Sequence, residues 1–386
     1  MADFRVLVER LIIEEHPNAD RLELARVGDY QSIVLKGQFV TGDLAAYIPE
    51  AALVPEEILD ELGLTGRLAG PDANRVKAIR LRSVLSQGIV YPAREGWSEG
   101  DDVTEELGIT KYEPPVPTNM SGELYPAGYE RCMRYDIENF KRYPDVLAHN
   151  EEVVFTEKLH GTWCQLGVLP EALAGEHGRL VVTSKGLGAK GLAFLPEAES
   201  NANNLYLRVA RALDIVTRVG DREEPLFILG EVFGSGVQDL SYGANAGQDD
   251  TLGFRVFDVY EGSPGQGRYL NDAELDDFCS EHELERVPVL YRGPFSREVM
   301  LEWTDGKESV SGDGLHIREG IVIRPSVERR DDRIGRVQLK SVSEDYLLRK
   351  GAPNTTKPSL ADVSPASNRK QPERRERCLI LHLSPL

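Results

Sequence analysis

Lys158 stands in the run Phe155-Thr156-Glu157-Lys158-Leu159-His160-Gly161-Thr162. It follows a strand-like stretch, Val153-Val154-Phe155, and precedes Gly161, whose missing Cβ lets the backbone turn tightly beside a ligand. A lysine amine placed there becomes a nucleophile once it loses its proton, which desolvation or nearby positive charge promotes. The plainer alternative is a surface lysine at a strand end, and four residues do not decide between the two. The downstream order does more. Ser184-Lys185-Gly186 comes first, then Leu229-Gly230-Glu231-Val232-Phe233-Gly234 and Phe257-Asp258-Val259. Glu319-Gly320-Ile321-Val322-Ile323-Arg324 and Gln338-Leu339-Lys340 follow. Lysine, glutamate, aromatic, glutamate and lysine all sit on or beside short apolar, β-branched runs that read as strands.

This series resembles the motifs of the covalent nucleotidyltransferases, the superfamily of polynucleotide ligases and capping enzymes. The resemblance spans Lys158 to Lys340 and implies three phosphoryl transfers. Lys158 attacks the α-phosphorus of ATP to give lysyl-AMP, AMP passes to a 5′-phosphate, and a 3′-hydroxyl then displaces AMP. Such transfers rest on positioning and on neutralising nonbridging oxygens. The motif match therefore gives Lys158 and Lys340 catalytic parts, with Lys185 a further cation at the phosphate. His160 and Gly161 join them at the nucleotide, and Phe257 stacks on adenine while Asp258 orients the neighbouring loop. Glu231 and Glu319 bind ribose or hold Mg2+ or Mn2+, through water in the simplest case, since magnesium keeps several waters. Cationic neighbours and metal are expected to lower the pKa of Lys158. Trp163 and Cys164 are left to the core.

The elements that must position these residues divide by composition. Residues 1–110 alternate short apolar runs with turn residues, as in a small β-barrel with one inserted acidic helix, Glu56 to Leu62. His16-Pro17-Asn18-Ala19-Asp20-Arg21-Leu22 resembles a loop of OB-fold modules related to tRNA-binding domains, with His16 read as a turn residue. Residues 111–150 read as a connector stiffened by Pro114, Pro115 and Pro117. Residues 151–349 mix strands with helical segments at Asn203 to Val219 and Asp272 to Glu285, an α+β pattern. Residues 350–386 have the Pro-, Ser- and Asn-rich composition of a flexible tail.

An N-terminal OB-like module before a Lys-Leu-His-Gly core is similar to the Deinococcus-type, nick-sealing RNA ligases. That resemblance implies a nicked duplex whose 3′-hydroxyl end is RNA, and a role in RNA repair. His160 stands where most of the wider superfamily has Asp, and Gln338 where many RNA ligases have a lysine, leaving Gln338 a hydrogen-bonding part. Capping enzymes and most ATP-dependent DNA ligases carry an OB domain after the last core lysine, and 46 residues follow Lys340 here. The four cysteines lack the spacing of a zinc module or disulfide framework. A DNA ligase, a capping-type enzyme and a non-catalytic RNA- or tRNA-binding protein are the competing readings, the last disfavoured by the intact lysines and glutamates.

A net charge of −19, from 45 basic and 64 acidic residues, argues for modest, salt-dependent nucleic-acid binding through a local basic strip. The candidates are Arg75 to Arg82, with Arg75, Lys77, Arg80 and Arg82, and the later segment Arg324 to Lys340, though strand alternation would share the first four between two faces. No signal peptide and no apolar run near the roughly 20 residues of a membrane span is evident. A cytoplasmic monomer is expected. A chain cut to begin near Asn150 is expected to keep lysine adenylylation and to seal nicks poorly.

Overall fold

The computed structural model describes residues 4–234, 236–238, 240, 252–310, 314 and 316–349. The expected tail at 350–386 lies outside the described residues. The described chain falls into two compact units, one within Asp3–Glu113 and one within Pro114–Tyr346.

Short alternating strands build the first unit. Leu7–Arg10, Leu44–Ile48 and Ile89–Pro92 form one antiparallel three-stranded sheet, and Ile12–Glu15, Leu22–Val27 and Tyr30–Leu35 form another. Inward residues of the first sheet, among them Val8, Ala46, Ile48 and Tyr91, share a core with Ile58, Leu59 and Leu62 of the only helix described in this unit, Glu56–Leu62. That helix stops where Gly63 takes a left-handed φ of 57°, which costs glycine no Cβ clash. His16 is a turn residue as read: its Nδ1 accepts from the Asn18 amide at 3.1 Å.

Two five-stranded sheets dominate the second unit, giving the α+β class. The first runs in the order Glu138–Asn139, Leu339–Val342, Gly320–Pro325, Glu152–Lys158, Val289–Pro294. All its pairings are antiparallel except that of Glu138–Asn139 with Leu339–Val342. The second runs Leu180–Ser184, Thr162–Val168, Leu226–Gly234, Leu252–Glu261, Arg268–Tyr269. Phe155, Ile321, Ile323 and Leu339 bury one face of the first sheet against Met300 of the helix Arg297–Thr304. Cys164, Leu166, Ile228 and Val256 bury one face of the second against Leu205, Val209 and Ala210. Strands covered on both faces read as continuous apolar runs, which is why Leu226 to Phe233 lacks alternation.

The helical segment expected over Asn203 to Val219 is two helices, Leu205–Leu213 and Ile215–Val219. Asp214 between them has a φ of 46° and breaks the run, a conformation that Asp tolerates better than most residues. Asn204 caps the first helix by accepting from the amides of Tyr206 and Leu207 at 3.1 Å. The second expected helix forms as Asp272–Glu281.

Candidate active site

Only Leu159, His160 and Gly161 separate the strand ending at Lys158 from the strand beginning at Thr162, and those strands belong to different sheets. Lys158 therefore stands at the seam. Strand alternation sends Val153 and Phe155 into the core and leaves Thr156 and Lys158 on the opposite face. Across the sheet Thr156 is in register with Val322, and Val322 with Lys340, so the two lysines share a face two strands apart. The facing sheet contributes Glu231, paired in register with Trp163.

Together these side chains line a pocket of about 210 Å³ that also receives Lys185, Phe257, Tyr135, Arg324 and Gln338. Glu319 reaches Lys158 directly: its Oε1 lies 2.5 Å from Nζ. Gly320 follows with a φ of 151°, and the Ser341 carbonyl oxygen beside it leaves no room for a side chain. Gly161 is needed for a different reason. A Cβ there would overlap the Val232 carbonyl oxygen and stand 2.9 Å from Glu231 Cγ.

Of the remaining expected residues, His160 does not line the pocket. It is buried behind Glu319, with Nδ1 2.5 Å from the Tyr346 hydroxyl and 3.9 Å from Glu319 Oε2. Lys185 opens a short helical turn and pairs with Asp136 at 2.9 Å. Arg75, Lys77, Arg80 and Arg82 lie in the other unit. Arg75 stacks over Tyr112 at 4.0 Å, while Arg82 occupies the turn between Ile79–Leu81 and Val84–Ser86 with a φ of 47°. Arg80 and Arg82 are exposed.

Phe257 reaches the pocket through a β-bulge. Leu229 pairs with Asp258 and Gly230 with Val256, so Phe257 is the extra residue. Val256 and Val259 both enter the core, and the bulge turns Phe257 and Asp258 together away from it. Phe257 lies beside Tyr135, with ring centroids 5.1 Å apart. Asp258 lies within the strand and is fully buried. Its carboxylate accepts from Arg324 at 2.9 Å, from both Arg336 nitrogens at 2.7 and 2.9 Å, and from the Tyr135 hydroxyl. Gln338, 2.5 Å from that hydroxyl, ties the group to the pocket wall.

The charges set the protonation states. Burial alone would lower the Lys158 amine, but Glu319 and then Glu231 outweigh it and raise the pKa above 10.5. The protein's own cations do not produce the expected lowering, because carboxylates are the nearest charged neighbours of Lys158. Lys340 moves the other way, down to about 8, through burial and then the charges of Lys158 and Lys185. Burial pushes Glu231 up to about 8, with Lys158 opposing and Glu319 adding to the shift. Asp258 stays below the usual carboxylate range, since Arg336 and Arg324 outweigh its burial.

A family model described as RNA ligase matches residues 151–342, the stretch that carries every strand around this pocket except Glu138–Asn139. Residues 151–342 belong to the RNA ligase family. A second model, an OB-fold domain, matches residues 6–93, so the expected barrel is an OB-fold domain. No curated protein matches the sequence. Among solved structures, the Naegleria gruberi RNA ligase with pyrophosphate has a TM-score of 0.72 at 23% identity, over 89% of this chain and 98% of that one. A glutamate-to-alanine mutant of that ligase with ATP and manganese gives 0.71 at 23%, with the same shares. Another with AMP and manganese gives 0.72 at 22%, again over 89% and 98%. At that identity the likeness is one of fold.

Sequence motifs picked out Lys158, Lys185, Glu231 and Lys340 of this pocket but missed Tyr135. Tyr135 lies in the stretch read as a connector, and its hydroxyl meets a carboxylate 123 positions away. No local signal marks such a contact. Trp163, assigned to the core, also lines the pocket.

Proposed function

We propose that this RNA ligase uses ATP to form lysyl-AMP on Lys158 and seals 3′-hydroxyl/5′-phosphate nicks in duplex nucleic acid whose 3′-hydroxyl strand ends in RNA. The observation that carries the reading is Lys158 at the junction of two sheets, ion-paired with Glu319 at 2.5 Å, in one pocket with Glu231, Lys185 and Lys340. ATP and a divalent metal, Mg2+ or Mn2+, are the cofactors, a reading supported by the ATP, AMP and manganese in the similar Naegleria structures.

In the first step the Lys158 amine, having given up its proton, attacks the α-phosphorus. A P–N bond forms, the bond to the bridging oxygen breaks, and pyrophosphate leaves. Glu319 is the nearest acceptor for the departing proton. Lys340 and Lys185 put positive charge where the nonbridging oxygens lie, and pre-placed charge of this kind costs no reorganisation during reaction. Phe257 presents a ring for the adenine. His160, behind Glu319, positions that carboxylate. Among the described residues no three His, Cys, Asp or Glu side chains converge on one point. The pair Glu231 and Glu319 nevertheless fits a magnesium or manganese ion completed by water and substrate phosphates, which need only one or two carboxylates. Such an ion would add positive charge at the phosphates.

AMP then passes from Lys158 to the 5′-phosphate at the nick, and the 3′-hydroxyl displaces it. One chain holds the whole set of pocket residues, so the proposed chemistry needs no second copy and a monomer suffices. Three free, buried cysteines suit a reducing compartment such as the cytoplasm. The test is sealing of matched nicks whose 3′ strand ends in RNA or in DNA. RNA-terminated strands should be joined and all-DNA strands joined poorly. Equal use of both would make the enzyme a DNA ligase in function, and adenylylation without sealing of either would point to another acceptor.

A further inference from the structure

A second pocket in the Pro114–Tyr346 unit, of about 590 Å³, has walls unlike the rest of this acidic chain. Arg134, Arg268, Arg329, Arg330 and Arg336 line it, against the single carboxylate of Glu328. Three of the five arginines are neutralised locally. Arg268 meets Glu274 at 2.7 Å, Arg329 meets Glu151 at 2.6 Å, and Arg336 meets Asp258 and Glu328 at 2.7 and 2.6 Å. Arg134 and Arg330 are exposed, and neither has an acidic partner among the described residues. A surface that is strongly acidic overall would be expected to place counter-charges beside two exposed guanidinium groups, and it does not.

The aromatic content is equally specific. Tyr129 on the pocket wall is 59% exposed, and the Arg134 guanidinium carbon lies 5.5 Å from its ring centroid. Tyr269 is already covered by Arg336 at 3.7 Å. A ring exposed over more than half its surface, with Arg134 against it and Arg330 on the wall of the same pocket, matches the two faces of a nucleotide. Bases stack on aromatic rings without sequence preference, and guanidinium forks bind phosphate. The volume suits one nucleotide, since ligand pockets span about 300–1,000 Å³. The pocket also adjoins the Lys158 site: the Arg336 guanidinium donates to Gln338 at 3.0 Å, and Gln338 lines that site.

We propose that this pocket holds one unpaired nucleotide of a nucleic-acid strand, with phosphates on Arg134 and Arg330 and the base on Tyr129. The inference rests on the ligase reading for its partner and gives the chain a strand grip in addition to its OB-fold domain. An unpaired nucleotide, unlike a duplex, can offer its base face to a tyrosine.

The test uses full-length protein without ATP and a short fluorescent oligoribonucleotide, with anisotropy read across a salt series. Arg134→Gln with Arg330→Gln should weaken binding and flatten the log–log salt dependence by about 1.4, some 0.7 for each single-strand phosphate left without its arginine. Tyr129→Ala should weaken binding roughly tenfold and leave the salt slope unchanged. Both variants should still form lysyl-AMP from labelled ATP, which also reports that they fold. An unchanged slope and affinity in the double variant would overturn the proposal, as would a wild type that does not bind the oligonucleotide. If free AMP binds the pocket and displaces the strand equally well in wild type, the site takes a mononucleotide and the strand grip is wrong. The underlying ligase reading fails separately, through a wild type that takes no label from ATP while still binding the strand.

Discussion

Lys158, the proposed nucleophile, is kept charged by its surroundings. Glu319 and Glu231 raise its pKa above 10.5 despite burial, so the amine must be freed of its proton during reaction. Single-turnover adenylylation should therefore accelerate with pH through 9, with no plateau near neutrality, and stopped assays across pH 6–9.5 would read this. A plateau by pH 7.5 would mean that the amine is already neutral there. Lys158→Arg should be as inactive as Lys158→Ala, because guanidinium does not deprotonate. Glu231 offers a second readout through stability. Its folded pKa of about 8 lies above the ordinary 4.5, so the folded state binds the proton more tightly. This contribution is complete below about pH 4.5 and is lost as pH rises through 8. Urea midpoints without added nucleotide should fall across that window, and Glu231→Gln should flatten the fall. Lys340, lowered to about 8, acts in the opposite sense above pH 8, where stability rises with pH.

Two local devices shape the pocket at the level of strands. The bulge at Phe257 puts consecutive side chains on one face, and the absent Cβ of Gly161 lets Glu231 approach. Gly161→Ala should leave the protein folded, displace Glu231 and cut adenylylation at least tenfold, measured by label transfer beside a thermal melt. Asp258→Ala should act on stability instead. Removing one member of a buried ion group leaves guanidinium charge unpaired and costs about 3–5 kcal/mol, readable by urea unfolding. What the sequence disclosed follows the same division. The strands around Lys158, Glu231 and Lys340 and the acidic helix Glu56–Leu62 were legible because their apolar patterns are local. The break at Asp214 was not, since the residues around it continue a helical pattern. The Asp258–Arg336–Tyr135 group was hidden because its members are distant in sequence and meet only after folding. Phe257 could be named from its motif, but the bulge that aims it could not be seen.

For the molecule as a whole, the stretch read as a connector alters one expectation. Tyr135 and Ile137 line the Lys158 pocket, and Glu138–Asn139 completes the first sheet beside Lys340. A chain beginning near Asn150 would lose all of these, so it should fail to adenylylate, contrary to the first expectation. A chain beginning at Pro114, where the second unit starts, should form lysyl-AMP at near wild-type rate. It should seal nicked duplex at least tenfold more slowly, because the OB-fold domain at residues 6–93 is the kind that binds nucleic acid through basic and stacking side chains. Comparing the two shortened chains with the full protein checks both statements, and equal sealing by the Pro114 chain would remove the barrel from the mechanism.

The central claim is covalent chemistry at Lys158, and α-labelled ATP tests it most directly. Incubated with ATP and magnesium and then denatured, the protein should retain a single AMP label that maps to Lys158 and is released by pyrophosphate. Lys158→Ala should carry none. Label that survives denaturation in the alanine variant would contradict the account.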